Sequence, residues 1–280
     1  LRAAQPPSET SRCLQQLIGR GMSLPHFFLN KQVLASMPAP VFTLQLDSDD
    51  VKHAKVLRLA AGEHIAVVDA TTDYFECEVV SFENGELSVS IAQKLSSHVR
   101  PEVVLVQGLA KGDKMDTIVR HATEVGIAEF VPMVSSRSVV KLDAKKSKAR
   151  CDRWTSIAKS ASMQSGRPSK PIVHMPCSVV EAFDAVKDCD AVLVCWEEAK
   201  LSDTLARAVS SCIAATGKEP RSLRVALVVG PEGGLSAQEV NRFLALPYAY
   251  SISLGPSILR TETAGIVAPA LTLYELEVRS

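Results

Sequence analysis

From residue 103 onward, short and almost wholly apolar runs alternate with longer stretches of helical spacing, and this alternation constrains the fold more than any other feature. VVLVQGLA (103–110), EFVPMV (129–134), AVLVCW (191–196), RVALVVG (224–230) and AYSISLG (249–255) read as strands. Helices are expected over Asp113–Val125, near Lys145–Gln164 and Ser202–Ala215, and after each of the last two strands. A strand that is apolar at every position needs cover on both faces, so the pattern predicts a parallel sheet between helices, an α/β fold. Between Leu24 and His98 the texture differs. FFL, VFTLQL, HIAVVDA, YFECEVVSF and LSVSIAQKL are rich in β-branched and aromatic residues and are separated by turn signals at 61–63 and Glu83-Asn84-Gly85-Glu86. They predict a small β-barrel or sandwich, interrupted by one helix over Val51–Leu59. The expected division is therefore 24–99 and 100–280, with residues 1–23 outside the fold.

Composition narrows the function classes. No run approaches the ~20 apolar residues of a spanning helix, so a membrane role has no support. The 31 basic and 31 acidic side chains cancel, and no global field advertises a polyanionic partner. Locally the balance breaks: between Arg137 and Lys170 stand ten Lys or Arg and only Asp143 and Asp152 as acids, an excess of +8. That stretch is either a solvated loop and helix face or a landing strip for phosphates. The seven cysteines form no C-x-x-C pair, which argues against zinc and a disulfide framework and for a reducing compartment, so no metal is expected. Residues 1–23 carry Arg2, Arg12 and Arg20 against Glu9, with Ser, Ala and Pro between. They read as the remnant of an organellar transit peptide, for chloroplast or mitochondrion, or else as a frayed terminus in a cytoplasmic protein.

Ligands of open parallel sheets sit beyond the carboxyl ends of the strands. Here those loops include QGLAKGDK, VGPEGGLS and LGPSILRTET. Ser236 and Glu239 form a capping box that explains the helix after GPEGG, but the glycines and Glu232 are left over. Glycine lets a ligand approach the backbone, although one of them belongs to any tight turn. In the other corner Ser257-Ile258-Leu259 forms an apolar lip beside Arg260, Thr261, Glu262 and Thr263, suited to a flat ring with a polar tail; Thr261 or Thr263 also suits an N-cap. No G-x-G-x-x-G follows a strand, and neither a P-loop nor a G-x-S-x-G elbow is present.

GPEGGLS followed by LGPSILRTETA resembles the closing motifs of the SPOUT superfamily, and specifically the RsmE-type ribosomal RNA uridine-N3 methyltransferases. HAKVLRLAAGEHIAVVDA is similar to that family's N-terminal PUA-like barrel, KGDKMDTIVRHATEVGI to its first strand-helix unit, and RWTSIAKSASMQSGRPSKP to its central helix. The resemblance runs from Leu24 to Leu276. It implies a C-terminal segment threaded as a trefoil knot, a feature otherwise almost absent from proteins. It further implies S-adenosyl-L-methionine held by the knot loops, a homodimer, and the small ribosomal subunit's RNA as substrate. The residues expected to hold that cofactor are Val229, Gly230, Pro231, Glu232, Gly233, Leu254, Gly255, Ser257, Ile258, Leu259 and Thr263. Two positions depart from the family pattern: His26-Phe27-Phe28 replaces R-F-F, and Ser257 stands where an arginine is common.

Uridine N3 carries a proton at neutral pH, so for that reaction Arg260 is the candidate for stabilising charge on the uracil oxygens, and Glu262 for accepting a proton or fixing Arg260; an Arg260–Glu262 ion pair that only holds the knot is the structural alternative. Glu232 is a second candidate base. RNA contacts are expected from Lys111, Arg137, Arg153, Gln164 and Arg167, and from His26, His53 and Arg58 of the barrel, where a lone histidine also reads as a satisfied structural residue. Two rivals stay open: an RNA-binding module of this fold with weakened catalysis, and a small-molecule enzyme binding a nucleotide phosphate at a helix N-terminus.

Overall fold

The computed structural model describes residues 24–96, 99–140 and 142–279; the leader expected over residues 1–23 lies outside them. The chain divides into two compact units, one ending at Leu95 and the other beginning at Ser96.

The first unit contains β1 (His26–Phe28), β2 (Val41–Thr43), α1 (Ser48–Leu57), β3 (His64–Val68), β4 (Tyr74–Glu83) and β5 (Glu86–Leu95). They make one sheet in the order β1-β3-β4-β5-β2, with β1 parallel to β3 and the other pairs antiparallel. Asn84 and Gly85 form the two-residue hairpin between β4 and β5 with φ of 53° and 88°. Positive φ at both positions matches the right-handed twist of the strands, which is why Asn-Gly occurs there. The edge strands are tied by the buried Gln32, whose amide donates to Thr43 O (3.0 Å) and accepts from Gln45 N (2.8 Å). α1 starts where Asp47 accepts from the amides of Asp49 and Asp50, which explains a start earlier than the apolar spacing alone indicated.

The second unit runs β6 (Glu102–Gly108), α2 (Lys114–Val125), β7 (Glu129–Val134), α3 (Ala144–Gln164), β8 (Ile172–Val173), β9 (Cys177–Ser178), α4 (Val179–Val186), β10 (Ala191–Cys195), α5 (Leu205–Thr216), β11 (Arg224–Val229), α6 (Ala237–Leu244), β12 (Ala249–Ile252) and α7 (Thr261–Val278). Its sheet is parallel throughout, in the order β12-β10-β11-β6-β7-β8, with β9 also paired to β7.

Successive side chains of a strand point to opposite faces, and here both faces are filled. Val103, Leu105, Leu193, Val225 and Leu227 pack under α2, α3, α5 and α7, while Val104, Val106, Val194, Ala226 and Val228 pack under α4 and α6. The continuous apolar runs follow from this double cover. α7 buries Ala264, Ala268, Leu273 and Leu276, while Tyr274 lies outside at 62% exposure. Neither Thr261 nor Thr263 caps α7, because Arg260 occupies the N-cap position. α4 and the short strands β8 and β9 were not legible in the sequence.

Candidate functional site

Parallel strands deliver their C-terminal loops to one side of a sheet, and here the loops after β10, β11 and β12 enclose one cleft of about 730 Å³. Of the residues expected to hold a cofactor, Val229, Gly230, Pro231, Glu232, Gly233, Leu254, Gly255, Ser257, Ile258 and Leu259 all line it, together with Arg260. Thr263 does not: it stands in the first turn of α7, away from the lining.

The corner after β11 is closed by steric need. A Cβ at Gly230 would fall 2.8 Å from the carbonyl carbon of Gly234, and one at Gly108, the last residue of β6, would fall 2.4 Å from the nitrogen of Pro231. Both contacts are with backbone or ring atoms, so a side chain could be accommodated only by moving the turn. A polar clasp fixes the same turn from below. Thr261 donates to Gly230 O at 2.6 Å and accepts from the Gln107 amide at 2.9 Å, both side chains being buried. The strand interior thus gives up one apolar position, Gln107, to join β6, the corner and the start of α7.

Charge is arranged around Lys114 at the cleft edge. Its ammonium lies 3.0 Å from Glu232 and 3.3 Å from Glu262, so the pair anticipated between Arg260 and Glu262 is replaced by a lysine shared between two carboxylates. Burial pushes the Glu232 carboxyl up, but the Lys111 amide (3.0 Å) and Lys114 outweigh it and hold the group below the usual carboxylate range. The Glu262 oxygen that faces Lys114, Oε2, is buried, and the ammonium at 3.3 Å is its ion-pair partner. Cys195, also in the lining, has its thiol pushed up to about 12 by burial and is no nucleophile near neutral pH.

The sequence model of the RNA methyltransferase domain matches residues 98–273. Ribosomal RNA small subunit methyltransferase E of Bacillus subtilis is 34% identical over 255 residues, covering 89% of this chain and 95% of its own. The chain belongs to the ribosomal RNA small subunit methyltransferase E family. The Mycobacterium tuberculosis member is 32% identical, with 80% of this chain and 83% of that one covered. The crystal structure of the Neisseria gonorrhoeae member, bound to S-adenosyl methionine, superposes with a TM-score of 0.70 at 27% identity, covering 89% of this chain and 96% of that one.

Several residues anticipated from charge as RNA contacts have partners within the protein. Arg167 is buried and donates to the carbonyls of Thr123 (2.7 Å), Ile127 (2.9 Å) and Gly126 (3.3 Å), capping the C-terminus of α2. The Gln164-Ser165-Gly166-Arg167 sequence explains how it gets there. Gly166, at φ 67°, ends α3 with bonds from its own amide to Met163 O and from the Arg167 amide to Ser162 O, the Schellman pattern that turns the chain inward. Arg153 is paired with Asp116, which also accepts from the buried Trp154 indole at 3.1 Å, so this cation fastens α3 to α2. His26 is a core residue. Its ring bonds Leu24 O (2.6 Å) and the Tyr74 hydroxyl (2.8 Å), and burial lowers its pKa more than the Leu24 carbonyl raises it.

Others are open to solvent or near the cleft. Arg137 donates to Gly233 O at 3.0 Å and so braces the glycine corner. Lys111, Gln164 and Arg58 are exposed, Arg58 as the left-handed cap of α1; His53 is half-buried with its ring edge against Phe27. Within the basic stretch Lys146 and Lys148 pair with Asp143 and Asp152, whereas Lys145 and Arg150 form no ion pair among the described residues. Lys141 lies outside the described residues.

Sequence reasoning also passed over lining residues. Cys195 ends β10 and Trp196 and Glu197 follow it, where the strand-end rule applies, yet only the sheet order places that end beside the two glycine-bearing corners. Among the described residues no group of three or more His, Cys, Asp or Glu could hold a metal ion, and no described helix is long and apolar enough to cross a membrane.

Proposed function

We propose that the chain transfers a methyl group from S-adenosylmethionine to N3 of a uridine in small-subunit ribosomal RNA. The observation that carries this reading is the single cleft built from the GPEGG and LGPSILR corners. The residues fit the cofactor: the volume suits a ligand of that size, the glycine turn exposes backbone, and Ile258 and Leu259 give an apolar wall beside charged groups.

S-adenosylmethionine supplies an electrophilic methyl on a sulfonium, and in-line displacement leaves the protein chiefly the task of alignment. The clasp of Gln107, Thr261 and Gly230 O keeps the corner in place for that task. Uridine N3 carries a proton at neutral pH. Arg260, which makes no ion pair with Glu262, meets charge developing on the uracil oxygens, and Glu262, held by the Lys114 ammonium at 3.3 Å, takes the proton.

RNA is gripped away from the site, as extrusion of a base requires, by Lys111, Lys145, Arg150 and Gln164 on this unit and by Arg58 on the N-terminal unit, which we read as a PUA-like barrel. Two copies pair as a homodimer, a reading supported by the exposed Leu271, Tyr274 and Val278 on one side of α7. We read the C-terminus as threaded in a trefoil knot, from the order of the GPEGGLS and LGPSILRTETA motifs. An organellar address, chloroplast or mitochondrion, rests on the arginines of residues 1–23. Mapping N3-methyluridine in organellar and cytosolic small-subunit rRNA, with and without the gene, tests the substrate. Loss at one position in one compartment is expected; unaltered methylation everywhere would refute it.

A further inference from the structure

We propose that Glu197 binds the cofactor, its carboxylate accepting the two ribose hydroxyls of the nucleoside. This rests on the cleft being an S-adenosylmethionine site. β10 lies between β11 and β12 and is hydrogen-bonded to both, Val194 pairing with Val228 on one side and Ser251 on the other. The corners after β11 and β12 therefore flank the loop after β10, and a molecule laid across both corners passes its middle over Trp196 and Glu197. In an S-adenosyl donor that middle is the ribose, with the base on one side and the amino-acid tail on the other.

Gly234 supplies the second observation. A Cβ there would fall 2.4 Å and 3.2 Å from the two carboxylate oxygens of Glu197, so the acid rests on bare backbone of the glycine turn. Gly234 also sits at φ 70°, which by itself favours glycine, and the missing Cβ leaves room for the Glu197 carboxylate over the turn. The third is charge. Lys114 is occupied by Glu232 and Glu262, whereas Glu197 makes no hydrogen bond or ion pair among the described residues. A carboxylate is acceptor-only with two oxygens, which matches two adjacent hydroxyl donors. An acid near a glycine turn at the end of a parallel strand also holds ribose in dinucleotide folds.

The test is calorimetric titration of the full chain and of Glu197→Gln with S-adenosylhomocysteine, its 2′- and 3′-deoxy analogues, and an analogue lacking the α-amino group. Removing a charged acceptor weakens binding about 10- to 100-fold. The expected result is a loss of that size for S-adenosylhomocysteine and for the analogue lacking the amino group, with both deoxy analogues losing far less. A variant that binds S-adenosylhomocysteine as tightly as the parent overturns the proposal, as does a loss that disappears with the amino group. If the parent chain binds no S-adenosylhomocysteine, the cofactor reading itself falls and takes this one with it.

Discussion

Replacing Arg167 with methionine separates a folding role from an RNA role, and its size can be worked from the contacts. The side chain keeps its length but loses the donors to Thr123 O and Ile127 O, at 2.7 and 2.9 Å, and the longer bond to Gly126 O. Two buried carbonyls left without donors cost about 2 kcal/mol each. Loss of a cation from a partly buried helix C-terminus adds up to about 2 kcal/mol. Against this, burial, and to a lesser degree Arg100, lower the guanidinium from its ordinary value to about 10. Methionine removes that unfavourable charge and returns about 3 kcal/mol. The lost bonds win by about 3 kcal/mol, which for a unit of this size lowers Tm by about 6–12 °C. Urea and thermal unfolding read the stability. RNA titrations over a range of salt, at a temperature where the variant is folded, read the other role. The expected outcome is a less stable protein with an unchanged salt slope. Unchanged stability with a shallower slope would put Arg167 on a phosphate and refute the capping argument.

Substituting both Lys145 and Arg150 with glutamine should flatten the salt dependence of RNA binding and leave the S-adenosylhomocysteine affinity unchanged; an unaltered slope would remove the basic stretch from the RNA surface. Gly108→Ala puts a methyl 2.4 Å from the Pro231 nitrogen, so calorimetry should show at least about 10-fold weaker cofactor binding, with about 1–3 kcal/mol of lost stability, although Gly108 is outside the GPEGG turn. His26 is held neutral by burial, below its usual 6.5. The unfolded chain therefore binds the extra proton, so stability is present above 6.5 and lost as pH falls from there through the lowered value. Amide exchange in β1 and β3 should accelerate over that window in the parent and less so in His26→Gln; identical pH dependence would place the effect elsewhere.

Local information in the sequence determined the elements and their class. The unbroken apolar runs at 103–106, 191–194 and 225–229 specify strands covered on both faces, Asn84-Gly85 specifies a two-residue hairpin, and Ser236 with Glu239 specifies the start of α6. These signals are legible because each depends on neighbours a few residues away. The two corners of the cleft were legible too, since strand ends in a parallel sheet share one side.

Only the tertiary structure decided what individual charges do. Arg153, Arg167 and His26 look like RNA contacts in a charge count, but Asp116, the end of α2 and Tyr74 come to them from 37, 40 to 44 and 48 residues away. A basic side chain with buried partners is fastened, and one without them is left to solvent; nothing within a short window tells the two apart. The same holds for Glu197 and Gly234, and for the lysine shared by Glu232 and Glu262. Their meeting depends on β10 lying between β11 and β12 and on α2 and α7 reaching one cleft, because burial and electrostatics are set by what surrounds a group in space rather than along the chain.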